Sequence, residues 1–246
     1  TATYGDISTW DVSAISDFSG LFADRDTFNS DISSWDVSSG TNFAYMFSGA
    51  YDAFNQDISS WDVSNGTNFS FMFNFANAFN QDIGNWDVSS GTNFGSMLRY
   101  AASFNQDIGS WDVSSGISFS SMFQGADAFN QDIGSWDVSN GTDFGFMFYD
   151  TEAFNQDIRS WNVSSGTRFY AMFSHTDAFN QDIRSWNVSS GTNFGGMFWG
   201  ADNMQNNYGF SYTPKASEFD WIAPSTPSTL DLSADSDTGS SSTDNI

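Results

Sequence analysis

The stretch Phe54-Asn55-Gln56-Asp57-Ile58-Ser59-Ser60-Trp61-Asp62-Val63-Ser64, continued by Gly66-Thr67-Asn68-Phe69 and Met72-Phe73, decides how this chain is read, because it recurs. Its tryptophan returns at Trp10, Trp35, Trp61, Trp86, Trp111, Trp136, Trp161 and Trp186, 25 residues apart except for one interval of 26. A fixed period of this length marks a repeat architecture: one unit is too small to bury a core, so the units must stack. The extra residue of the longer interval falls between Phe47 and Phe54, in a connecting segment where an insertion is tolerated.

Within a unit, Trp61 and Val63 alternate with Ser60, Asp62 and Ser64, a period of two that predicts a short strand with one buried face. Phe69, Met72 and Phe73 follow at spacings of three and four, which predicts a single helical or 3-10 turn. A Ser-Gly or Asn-Gly pair between the two supplies a turn. The chain divides into residues 1–203, a solenoid of eight units; 204–222, a degenerate capping unit in which Met204 replaces the Phe; and 223–246, a tail rich in Ser, Thr and Asp.

Composition narrows the function classes. With 30 acidic against 6 basic residues the net charge is -24, which argues against nucleic acid or an anionic membrane surface as partner. The chain is no disordered acidic tail, since 18% of its residues are aromatic and they keep register. It has no Cys, hence no disulfide framework or thiol chemistry, and no apolar run of membrane-spanning length. Thr1 follows neither a Met nor a signal pattern, as expected of a processed or excised piece.

The apolar spacing Ile58, Trp61, Val63 matches the L-x-x-L-x-L core of a leucine-rich repeat. From residue 6 to about 205 the phrase F-N-x-D-I-x-x-W-D-V-S with its M-F pair resembles the BspA-like surface repeat of mycoplasma-type surface lipoproteins. That resemblance implies a leucine-rich-repeat-like solenoid, one short strand and one short helical or 3-10 turn per 25-residue coil in a parallel stacked sheet, on a cell surface or outside the cell. The chain departs from the family where Gly40, Gly66, Gly91, Gly116, Gly141, Gly166 and Gly191 stand in place of the usual Val, and Phe43, Phe69 and their equivalents in place of Met.

Stacking aligns two acidic lines. Asp11, Asp36, Asp62, Asp87, Asp112 and Asp137 form the first; Asp31, Asp57, Asp82, Asp107, Asp132, Asp157 and Asp182 the second. Like charges about 5 Å apart repel by roughly 1 kcal/mol in water and more near a protein surface, so something must offset them. Calcium is one reading, since hard oxygen ligands suit it; turn-capping by the second line and plain solvation of the first is the other. Stacked Asn55, Asn80, Asn105, Asn130, Asn155 and Asn180 are expected to partner backbone groups in the corners.

His175 is the only histidine, and a ladder of equivalent carboxylates offers no pair of distinct acid and base, so no catalytic site and no cofactor other than calcium is expected. Asn65, Asn68, Asn140, Asn162 and Asn187 begin N-x-[ST] patterns, candidate glycan acceptors in a secreted chain. Large aromatics in variable slots beside the M-F pair, among them Tyr45, Phe71, Tyr100, Tyr170 and Trp199, read either as an interface row or as rings packed on the adjacent unit.

An uncovered first unit invites edge-to-edge association. The expected function is therefore a non-enzymatic extracellular subunit of a filament or surface assembly, built through the solenoid ends and the tail, with Tyr4, Phe219 and Trp221 as assembly contacts. An adhesin or receptor-like module using the acidic strand face, with or without calcium, is the alternative. The partners expected are further copies of the chain, then other surface proteins or glycans, with no nucleic acid and no membrane span.

Overall fold

The structure is a computed structural model that describes residues 5–220. Among those residues regular secondary structure is confined to the ends: a 3-10 turn at Ile7–Thr9, helix α1 at Asp202–Tyr208 and a 3-10 turn at Ala216–Glu218. The repeats between them are built from turns. Each unit meets the next through one parallel bridge, in the series Asp17, Asn42, Asn68, Asn93, Ser118, Asp143, Arg168, Asn193.

The period-two burial at the tryptophan is present: Trp61 and Val63 are buried while Asp62 is exposed. The parallel pairing, however, falls further along the unit. The N–H groups of Phe69, Phe71, Phe73 and Phe75 donate to the carbonyls of Asn93, Gly95, Met97 and Arg99 at 2.8–2.9 Å. The residues between them turn back on their own unit, Met72 N–H to Phe69 O at 3.2 Å and Asn74 N–H to Phe71 O at 3.2 Å. Phe71 and Phe75 hold φ of 58° and 59°. These left-handed residues rotate alternate peptides, so one set of N–H groups leaves the unit sideways and the other closes 3-10-like bonds within it. Ladder and turn, expected in separate segments, therefore share one segment.

The Trp-Asp-Val segments of neighbouring units are joined by side chains instead. From Trp35 to Trp186 each indole of the repeat donates to the Ile carbonyl of the preceding unit, as in Trp86 Nε1 to Ile58 O at 3.1 Å and Trp111 Nε1 to Ile83 O at 3.0 Å. The core is a set of aromatic columns. Phe43, Phe69, Phe94, Phe119, Phe144, Phe169 and Phe194 stack with centroids 5.4–5.7 Å apart. Parallel columns run through Phe79, Phe104, Phe129, Phe154 and Phe179, and through the tryptophans. Burying each ring is worth about 1.5–3 kcal/mol, and each stacked pair adds about 0.5–1.5 kcal/mol.

The last unit is closed by the residues after Ala201. Helix α1 ends on Gly209, left-handed at φ 76°, and Phe210 and Phe219 then pack on Phe198 and Phe194. Asn207 Nδ2 donates to Asn180 Oδ1 and Tyr208 Oη to Asn180 O, imitating the contacts of a further repeat.

Candidate interaction surfaces

The aspartates of the first acidic line are all exposed, and each uses Oδ1 to accept the N–H of the residue two positions on: Asp11 from Ser13, Asp36 from Ser38, Asp62 from Ser64, Asp87 from Ser89, Asp112 from Ser114, Asp137 from Ser139, at 3.0–3.1 Å. The second line does the same, as in Asp57 with Ser59 and Asp107 with Gly109. Both lines are therefore turn caps, whereas plain solvation was the alternative for the first. The serine hydroxyl and then the serine N–H hold the carboxyls of Asp11, Asp36, Asp62, Asp112 and Asp137 below the usual aspartate range, against smaller opposing effects of burial and, at Asp36 and Asp137, of neighbouring carboxylates. Hydrogen bonding thus outweighs the like-charge repulsion that the spacing alone implies.

In the later units arginines enter the second line. Arg159 binds Asp157 through both nitrogens at 2.6–2.9 Å, and its guanidinium brings that carboxyl down to about 2. Arg184 pairs with Asp182 in the same way. Among the described residues no three acidic or histidine side chains converge as a set for a metal ion.

The amide ladder lies in the corner before the Asp-Ile pair. Asn55 Oδ1 accepts from Asn80 N–H at 2.9 Å and from Gln81 Nε2 at 3.1 Å, and the pattern repeats to Asn180. Of the candidate glycan acceptors, Asn65 and Asn140 already give Nδ2 to the preceding unit, to Ser38 O and Ser114 O. Asn68, Asn162 and Asn187 cap the residue two positions on through Oδ1.

Aromatics in the variable slots lie partly on one another. Tyr45 stacks on Phe71 at 4.5 Å and Phe75 on Tyr100 at 4.7 Å, with the Arg99 guanidinium over both Phe75 and Tyr100. Phe146 meets Tyr170, and His175 lies between Tyr149 and Trp199. Trp199 is the most open, at 63% exposed. The sequence period marks these slots as variable; their left-handed backbone at Tyr45, Phe71, Phe75 and Tyr100 emerges only in the structure.

The two ends differ. Phe219, expected as an assembly contact, is 4% exposed and covers the last unit of its own chain. Tyr4 and Trp221, and the tail from 223 to 246, lie outside the described residues. At the first unit Trp10 is 43% and Leu21 45% exposed, whereas their equivalents Trp35 and Met46 are 4% and 0% exposed. Open depressions of about 380 and 500 Å³ lie there, lined respectively by Trp10, Asp11, Val12, Ile15 and by Ile7, Trp10, Leu21, Phe22, Phe28 with polar neighbours. Among the described residues no helix is long and apolar enough to cross a membrane.

No curated protein and no solved structure matches this sequence. The sequence pattern of a family described as "Mycoplasma protein of unknown function, DUF285" matches residues 1–108 and again 142–219, most of the chain, and this repeat protein belongs to that family.

Proposed function

We propose that the stacked units are a leucine-rich-repeat-like solenoid of BspA-like surface type, and that the chain is a non-enzymatic extracellular subunit of a filament or surface assembly, joined through the solenoid ends and the C-terminal tail. The observation that carries this reading is the asymmetry of the ends. The last unit is closed by Phe210 and Phe219, while the first presents Trp10, Ile15 and Leu21 at 39–45% exposure, at positions of the kind that stacking buries elsewhere. Light scattering across a concentration series tests it: open-ended growth in mass is expected, and a single-chain mass at every concentration overturns it.

An adhesin or receptor-like module on the acidic face is the second reading, favoured by the line of exposed aspartates whose Oδ2 atoms face no described donor. It requires a rise in unfolding temperature with calcium that chelator reverses; indifference to both removes calcium from that reading.

A further inference from the structure

We propose that the aromatic row of the variable slots, where it reaches Trp199, is a seat for an extended arginine-bearing peptide of another protein, with one guanidinium stacked on Trp199 and others reaching the carboxylates of Glu152, Asp177 and Asp202. The reading is independent of self-assembly, since it uses no residue that closes or opens an end of the stack.

The row already holds one guanidinium of its own. Arg99 lies over the rings of Tyr100 and Phe75, 4.5 and 5.3 Å from their centroids, while its Nε donates to Gln124 Oε1 at 3.0 Å and its Nη1 to Asn74 Oδ1 at 3.4 Å. A planar guanidinium stacks on a ring and forks to acceptors at once, which an ammonium does not. The two acceptors come from the units before and after, so stacking of the repeats makes the seat. Two residues beyond the ring slot, Asn77 and Ala102 carry no charge.

Four units after Arg99, Trp199 stands in its place, and the positions equivalent to Asn77 and Ala102 have become Asp127, Glu152, Asp177 and Asp202. Trp199 is 63% exposed, yet its backbone is held, with its carbonyl accepting from His175 N–H at 2.8 Å and Ser174 Oγ at 2.9 Å. Beside it lies an open depression of about 440 Å³ lined by His175, Asp177, Gly200, Asp202 and Asn203. His175 closes its floor, resting so near Gly200 that a Cβ there would meet Nδ1 at 2.6 Å. Ring and acceptors are thus present without the cation that joins them at Arg99.

These carboxylates differ from the two capped lines. Asp127, Glu152, Asp177 and Asp202 accept no side-chain hydrogen bond and form no ion pair with any described residue. The arginines of this half are engaged elsewhere, Arg159 by Asp157, Arg168 by Asp143 and Arg184 by Asp182. Crowding is felt at Asp127, whose carboxyl is raised by burial and then by Glu152 and Asp150. Spacing favours an extended peptide: the three unit steps from Asp127 to Asp202 cover about 14 Å at strand-like spacing, and three side chains at alternate positions of an extended chain cover about 13 Å. This sequence holds no such segment, since its nearest basic residues, Arg159 and Arg168, are nine positions apart, so the occupant is another protein and not a second copy.

The test uses the full chain and a fluorescein-labelled peptide in which three arginines alternate with serines, followed by fluorescence anisotropy at low salt. Saturable binding is expected, and its absence overturns the proposal. Trp199→Ala should weaken binding about fivefold, and Asp177→Asn with Asp202→Asn about tenfold. Asp62→Asn with Asp87→Asn removes the same charge from the first acidic line, where Asn162 and Asn187 already keep the turn cap. That pair should leave the affinity within about twofold. The matching lysine peptide should bind several-fold more weakly. All the substituted side chains are exposed, so the stack stays folded, checked by near-ultraviolet circular dichroism. Equal losses in the two asparagine pairs would reduce the binding to attraction by net charge and overturn the seat. An unchanged affinity in Trp199→Ala, or arginine and lysine peptides bound alike, would overturn it as well.

Discussion

At the scale of single residues, the tryptophan and the glycine of each unit are tied to specific atoms. Trp111 sends its indole N–H to Ile83 O at the buried face, so Trp111→Phe removes one of the two bonds that carbonyl accepts, the other being from Trp86 N–H, and puts a smaller ring in the column. A loss of about 1–3 kcal/mol is expected, read as a lower urea midpoint with unchanged slope. Gly116 is fixed by a ring: a Cβ there would lie 2.4 Å from Phe119 Cζ and 2.9 Å from Val113 O. Phe at one position and Gly at the other are therefore a single choice. Gly116→Val alone is expected to destabilise by about 1–3 kcal/mol. Combined with Phe119→Met it should recover part of that loss; strict additivity in the double-mutant cycle would show that the two positions do not share space.

At the scale of the element, the Asp-x-Ser turn sets the acid response. Aspartates such as Asp62, Asp112 and Asp137 have folded values below their unfolded value near 3.8, and Asp157 falls to about 2. Their stabilising effect is complete above the unfolded value and is lost as pH falls through the folded ones. The unfolding temperature should therefore drop steadily between pH 4 and pH 2 (about one turn cap after another), and a flat profile there would remove these turns from the stability account. Asp127 has the opposite sign, since burial, then Glu152 and Asp150, raise its carboxyl, so the folded state loses stability as pH rises past its unfolded value. Asp127→Asn should raise the unfolding temperature near neutral pH and do little below about pH 3. The capping role was half legible in the sequence, for the Asp-x-Ser spacing is local, but whether a line of carboxylates is capped or bare depends on the turn conformation. The ladder was misplaced for a related reason: alternation of side chains reports burial, and at Trp61 and Val63 burial comes without strand pairing.

At the scale of the whole molecule, each unit touches only its neighbours, so stability should scale with the number of units. Removing residues 105–129, one full period, preserves every column and register and should leave a folded chain whose urea slope falls by about one eighth. Removing one residue fewer should disrupt packing at the join, and equal tolerance of both deletions would contradict the stacked register. The sequence by itself determined the period, the stacking, and which residues line the columns, because burial of a recurring apolar set is imposed by spacing alone. Only the tertiary structure decided which backbone segment pairs and that the last unit is closed by the residues after Ala201. Those outcomes depend on the handedness of individual peptides at Phe71 and Phe75 and on contacts between residues 25 apart, and neither is written in any local pattern.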